Sequence, residues 1–77
     1  MTDYCCDVIV HIDETLDNET LAQLEKTIGN ERGIYSACIN ETARHLMVVD
    51  YDPIDISAQT ILTQIHHQGL HAELIGL

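Results

Sequence analysis

Basic residues are nearly absent from this chain: 3 Lys and Arg stand against 13 Asp and Glu, a formal charge of -10 over 77 residues. Such a field repels phosphate backbones and anionic lipid alike, which excludes nucleic-acid and membrane-surface binding. It attracts cations or a basic partner surface, although solubility alone also accounts for it. Long hydrophobic runs are missing too, and no stretch approaches the roughly 18 apolar residues of a spanning helix. The segment Met1 to Val10 has neither a basic n-region nor a long apolar core, so a soluble, cytoplasmic protein is expected. Cysteine is scarce: Cys5, Cys6 and Cys38 are an odd number without the spacing of a disulfide framework. There is no phosphate-binding glycine loop and no catalytic motif, and a chain this short has little room for a deep pocket; an enzyme is not expected.

What is present is enough for one core. Apolar residues make up 45% of the sequence with no low-complexity tract, so burial can offset the entropy of ordering one compact domain spanning residues 1–77. Val8, Val10 and Ile12 alternate with Asp7, Ile9 and His11, the period-2 pattern of a strand with one buried face. Leu21, Leu24 and Ile28 then recur at helical spacing, with Asp17 or Asn18 placed to cap the helix and Gly29 placed to end it. After Gly33 come two strand-like segments, Ile34 to Asn40 and Leu46 to Tyr51, joined by a polar hairpin around Glu41 to Arg44 and stopped by Pro53. Ser57 is a good N-cap for a second helix with Ile61, Leu62 and Ile65 as its apolar stripe, ending at Gly69 before a last strand, His71 to Ile75. The order β-α-β-β-α-β predicts an α+β, ferredoxin-like sandwich: a four-stranded antiparallel sheet with both helices on one face and the other face open.

Several segments match a family in order and spacing. Gly33-Ile34 with Ser36-Ala37-Cys38-Ile39-Asn40, then Met47-Val48-Val49-Asp50-Tyr51-Asp52-Pro53, then Ile61, Ile65 and Gly69-Leu70-His71-Ala72-Glu73-Leu74 resemble the strands and terminal segment of the heavy-metal-associated domains, the family of copper metallochaperones. The resemblance covers nearly the whole chain and implies the ferredoxin-like fold and metal-ion handling. In that family a methionine and a C-x-x-C pair, in the loop after the first strand, hold Cu(I) or another soft metal. Here the loop reads His11-Ile12-Asp13-Glu14-Thr15-Leu16-Asp17. Hard carboxylate oxygens stand where soft thiolates would be, and carboxylates suit Mg, Ca or Mn far better than Cu(I).

Two readings compete for the loop. Asp13, Glu14, Asp17 and Glu19 crowd a helix N-terminus, where capping and the macrodipole explain them cheaply; alternatively they begin a weak divalent-cation site, although hard-metal sites want six or more oxygens. His66, His67 and His71 flank the end of the second helix, and in the family's fold this turn lies beside the metal loop. Helix-end histidines ordinarily interact with the last carbonyls; the metal reading combines His67 with Asp13 or Glu14, a set favouring Zn, Ni or Cu(II) over Cu(I). Cys5 and Cys6 are adjacent, so in a strand they point to opposite faces, and roughly 20 Å of extended chain separates them from the loop. Packing or an incidental thiol is their plainer role.

If Val8, Val10, Ile12, Ala37, Ile39, Met47, Val49, Tyr51, Ala72 and Leu74 face the helices, then Ile9, His11, Cys38, Leu46, Val48 and Ile75 fall on the open face. Apolar residues clustered there suggest a surface for a protein partner or a homodimer, whereas apolar residues scattered singly need no such explanation. The expected function is a small non-enzymatic binding module with weak or altered metal binding, partner docking, or both. The alternative is an interaction or oligomerisation domain that has lost the metal.

Overall fold

A computed structural model describes residues 6–76. The elements run β1 Cys6–Ile12, α1 Asn18–Gly29, β2 Ile34–Ile39, β3 Leu46–Tyr51, α2 Ala58–His67 and β4 Ala72–Gly76, the order that the sequence patterns predict. They form one antiparallel sheet in the order β2-β3-β1-β4, with both helices laid on the same face.

That face is the core. Val8, Val10 and Ile12 of β1 and Met47, Val49 and Tyr51 of β3 are buried, and α1 and α2 meet them with Leu24, Ile28, Ile61 and Ile65. Ala37, Ile39, Ala72 and Leu74 of the edge strands are half-buried against this cluster. Strand alternation therefore assigned the two faces correctly. Each buried Val, Leu or Ile contributes about 1.5 to 3 kcal/mol relative to exposure.

Both helices start as their sequences predict: Asp17 Oδ1 accepts from Thr20 N at 2.8 Å, and Ser57 Oγ accepts from Thr60 N at 3.1 Å. Their ends differ. Gly69 follows α2 with φ +83°, a left-handed terminus, but Gly29 is the last residue inside α1 and lacks a positive φ; Asn30, at φ -85°, makes that cap. The second left-handed glycine is Gly33 (φ 89°), in the turn into β2, where its carbonyl accepts from Asp52 N at 2.7 Å.

Each edge strand carries one bulge. Between Ile34 and Ser36 the register against β3 shifts by one residue at Tyr35, and opposite Ile9 and Val10 the register of β4 shifts at Ile75. Tyr35 and Ile75 are correspondingly exposed. Bulges of this kind twist an edge away from further strand addition. The edge of β2 is also covered: Glu25 of α1 accepts from Ile39 N at 2.6 Å.

Candidate functional site

The end of the sheet where β1 runs into α1 is tied to the start of β4. Asp13 N donates to His71 O at 2.8 Å, and Ile12 N donates to His45 O at 2.8 Å, which brings the β2–β3 hairpin to the same corner. Four histidines gather there: His11 on β1, His45 before β3, His66 on the last turn of α2, and His71 before β4.

Each has a defined contact. His71 donates through its backbone N–H to Glu14 Oε1 at 2.9 Å, and its ring Nδ1 lies 2.7 Å from Glu14 Oε2. The ring hydrogen bond, then the backbone one, holds the Glu14 carboxyl below the usual range, and the same contact raises the His71 imidazole. His66 Nε2 donates to Ala72 O at 3.2 Å. His45 Nδ1 donates to Ile12 O at 2.7 Å, and its ring stacks on that of His11 with centroids 5.8 Å apart and planes 16° apart. Because the carbonyl can only accept, Nδ1 of His45 carries the hydrogen in this contact.

Asp17 is consumed by capping: hydrogen bonds from Thr20, side chain first and backbone second, hold its carboxyl below the usual range. Glu14 is consumed by His71. Of the loop acids this leaves Asp13, which lies 3.2 Å from His11 Nδ1 through Oδ1. Glu73 on β4 pairs directly with His11 across the sheet, so His11, Asp13 and Glu73 bring one ligand atom each within 4.8 Å of one another. Of the sequence-based metal set, Asp13 belongs to this group. Glu14 sits beside it with His71 as partner. His67 is exposed on the last turn of α2 and contributes no atom to the converging group.

Sequence reasoning placed His11 on the open face and did not count it as a ligand, and it passed over Glu73 and His45. The i, i+2 spacing of His11 and Asp13 along one strand face was a legible signal. Glu73 carried none, because its place depends on the β1–β4 register.

The open face itself is organised in cross-strand rows. Ile9, Val48 and Cys38 form one row across β1, β3 and β2, with Ile9 and Val48 half-buried and Cys38 exposed. Ile75, 51% exposed, stands at the β4 bulge. The next row is polar: Asp7 opposes Asp50, and Ser36 Oγ donates to Asp50 Oδ2 at 2.8 Å.

The thiols are elsewhere. Cys6 starts β1 at the end opposite Asp13, Cys38 lies on β2, and both are free and exposed; Cys5 lies outside the described residues. No thiol among the described residues is found at the loop, so the donors there do not fit a two-thiolate Cu(I) site.

No family model matches the chain, and no curated protein matches it. Solved structures do, and they define its class as an α+β domain of ferredoxin-like architecture. A copper-binding domain from HMA7, a P-type ATPase, is 18% identical with a TM-score of 0.82, over 91% of this chain and 93% of that one. Oxidized MerP from Ralstonia metallidurans is 16% identical, TM-score 0.80, over 91% and 96%. The apo copper chaperone of Enterococcus hirae is 22% identical, TM-score 0.78, over 88% and 98%. These likenesses establish the fold that the sequence resemblance implied. No helix among the described residues is long and apolar enough to cross a membrane.

Proposed function

We propose that this chain is a small non-enzymatic binding module of the metal-trafficking type, whose metal-ligand set has changed from sulfur to nitrogen and oxygen. The observation that carries the reading is the convergence of imidazole and carboxylate groups at the β1–α1 corner of a fold shared with copper-binding domains. Asp13 is the anchor, because it belongs both to the set expected from sequence and to the converging group. A nitrogen and oxygen set takes Zn, Ni or Cu(II) in preference to Cu(I), and an overall charge of -10 favours the approach of a cation. The ion is cargo here.

The Ile9–Val48–Cys38 row with Ile75 favours a second reading, a docking or self-association domain that uses the open face. One experiment separates the two. Protein purified without a metal-affinity tag is subjected to elemental analysis, then titrated with divalent ions and followed by NMR. Specific shifts around Asp13 with saturable binding support the metal reading. No metal as purified and no saturable shift with Zn, Ni or Cu(II) leave the docking reading.

A further inference from the structure

We propose that His11, Asp13 and Glu73 together form a three-ligand site for a divalent ion of the zinc class on the open face of the sheet, an inference that rests on the metal-trafficking reading above. His11 and Glu73 come from paired strands, and Asp13, the first residue after β1, is held in place by its backbone N–H donating to His71 O at 2.8 Å. His11 is on β1 and Asp13 lies one residue past its end with the two side chains in contact, and the antiparallel register sets Glu73 of β4 directly opposite His11. Their ligand atoms lie within 4.8 Å of one another.

The separation between His11 Nδ1 and Asp13 Oδ1, 3.2 Å, is close to what one tetrahedral ion requires. Two ligands held at about 2.0 to 2.2 Å from zinc in tetrahedral geometry stand about 3.3 to 3.6 Å apart. In the free protein the two atoms are in hydrogen-bond contact, and the ion takes the place of that contact. Glu73 is exposed, and a glutamate side chain is long enough to close the remaining distance by rotation about its side-chain bonds.

One nitrogen and two carboxylates select the cation. Imidazole favours zinc, nickel and Cu(II) over calcium and magnesium, which want six or more oxygens, and the absence of thiolate disfavours Cu(I). The neighbouring contacts hold the ligand ring still: His45, pinned through Nδ1 to Ile12 O, stacks on His11. His45 is a positioning residue in this arrangement. Three protein ligands leave a fourth position open, as in zinc sites that bind an exchangeable group. All three residues are exposed or half-buried, so that position faces outward, where the donor atom of a delivering or receiving protein can enter. This suits an ion that is passed on.

The test is calorimetric titration of the untagged full chain with zinc sulfate, with NMR of the His11 ring as a second readout. His11→Asn, Asp13→Asn and Glu73→Gln should each weaken zinc binding about tenfold or more, since removing even an outer partner of a metal ligand costs 10 to 100-fold. The Glu14→Gln, His67→Asn double variant tests the competing ligand set and should bind zinc within about threefold of the unaltered chain. An NMR fingerprint for every variant reports whether it is folded. Loss of zinc binding in the Glu14, His67 double variant, with retention in His11→Asn and Glu73→Gln, overturns this site and leaves the metal-trafficking reading intact. Failure of the unaltered chain to bind zinc, nickel or Cu(II) overturns both.

Discussion

Asp7 of β1 and Asp50 of β3 oppose each other across the two central strands, and their carboxyls are driven apart in acidity. The hydrogen bond to Asp50, then its charge, raises Asp7; the hydrogen bonds from Asp7 and then Ser36 lower Asp50. A raised carboxyl contributes stability that is present below its unfolded value and lost as pH rises through its folded one. The lowered Asp50 contributes stability that is present above its unfolded value and lost as pH falls through its folded one. At neutral pH the Asp7 contribution is gone and two like charges face each other. Asp7→Asn keeps an N–H donor for Asp50 at every pH, so its melting temperature should exceed that of the unaltered chain at pH 7. The gain should shrink as pH falls into the carboxylate range. Thermal melts at pH 7 and pH 4 check this, and a gain that is the same at both would remove the paired-carboxylate account.

Cu(I) should be held far more weakly than by a domain with a C-x-x-C loop. Both described thiols lie away from the β1–α1 corner, and soft ions need soft donors. Competition against a Cu(I) chelator measures it. Tight one-to-one retention that survives Cys5→Ser and Cys6→Ser would contradict this, and loss of retention on removing either thiol would assign copper to the N-terminal pair.

Ile9 and Val48 are direct cross-strand neighbours on the open face, at the centre of the apolar row. Burying each in a partner contributes about 1.5 to 3 kcal/mol, and a charge in its place adds a desolvation cost. Ile9→Lys with Val48→Glu should leave the monomer folded, because the pair is outside the helix-facing core and the new charges are of opposite sign across the strands. Sedimentation with thermal melting reports the outcome. Loss of association without unfolding identifies the surface, and unchanged assembly rules it out.

Gly33→Ala and Gly69→Ala should differ in severity. Both glycines have positive φ, 89° and 83°, and a left-handed non-glycine residue costs about 1 to 2 kcal/mol. At Gly69 a Cβ meets nothing within 4 Å, so only that cost applies. At Gly33 it would come within 2.9 Å of Asp55 Cβ and Ile56 Cγ2, so the chain must also move. Denaturant titration should therefore rank Gly33→Ala as the more destabilised, and equal losses would mean that the turn into β2 yields freely.

Much of this molecule is legible in local pattern. Alternation at Val8, Val10 and Ile12 and helical spacing at Leu21, Leu24 and Ile28 named residues that are buried, since the periods of strand and helix are properties of the backbone alone. Asp17 and Ser57 were readable as caps for the same reason: the orphan amides they serve lie three residues away. Gly29 shows the limit of such reading, because a glycine near a helix end does not say which residue takes the terminal turn, and Asn30 takes it here.

The corner that gathers His11, Asp13, Glu73 and the Glu14–His71 pair was only partly legible. The sequence by itself determined the six elements, their order, which side of each strand would face the helices, and that the loop after β1 holds carboxylates where the resembling family has thiols. Only the tertiary structure decided which of those carboxylates would be spent: Asp17 on a helix cap, Glu14 on His71, and Asp13 beside His11. It also decided that Glu73, 60 residues or more from either partner in the chain, would stand opposite His11. Periodicity is local and fixes the direction in which a side chain leaves its own strand. The register of β4 on β1, shifted by the bulge at Ile75, depends on how whole strands pair, and no short window of sequence contains that information.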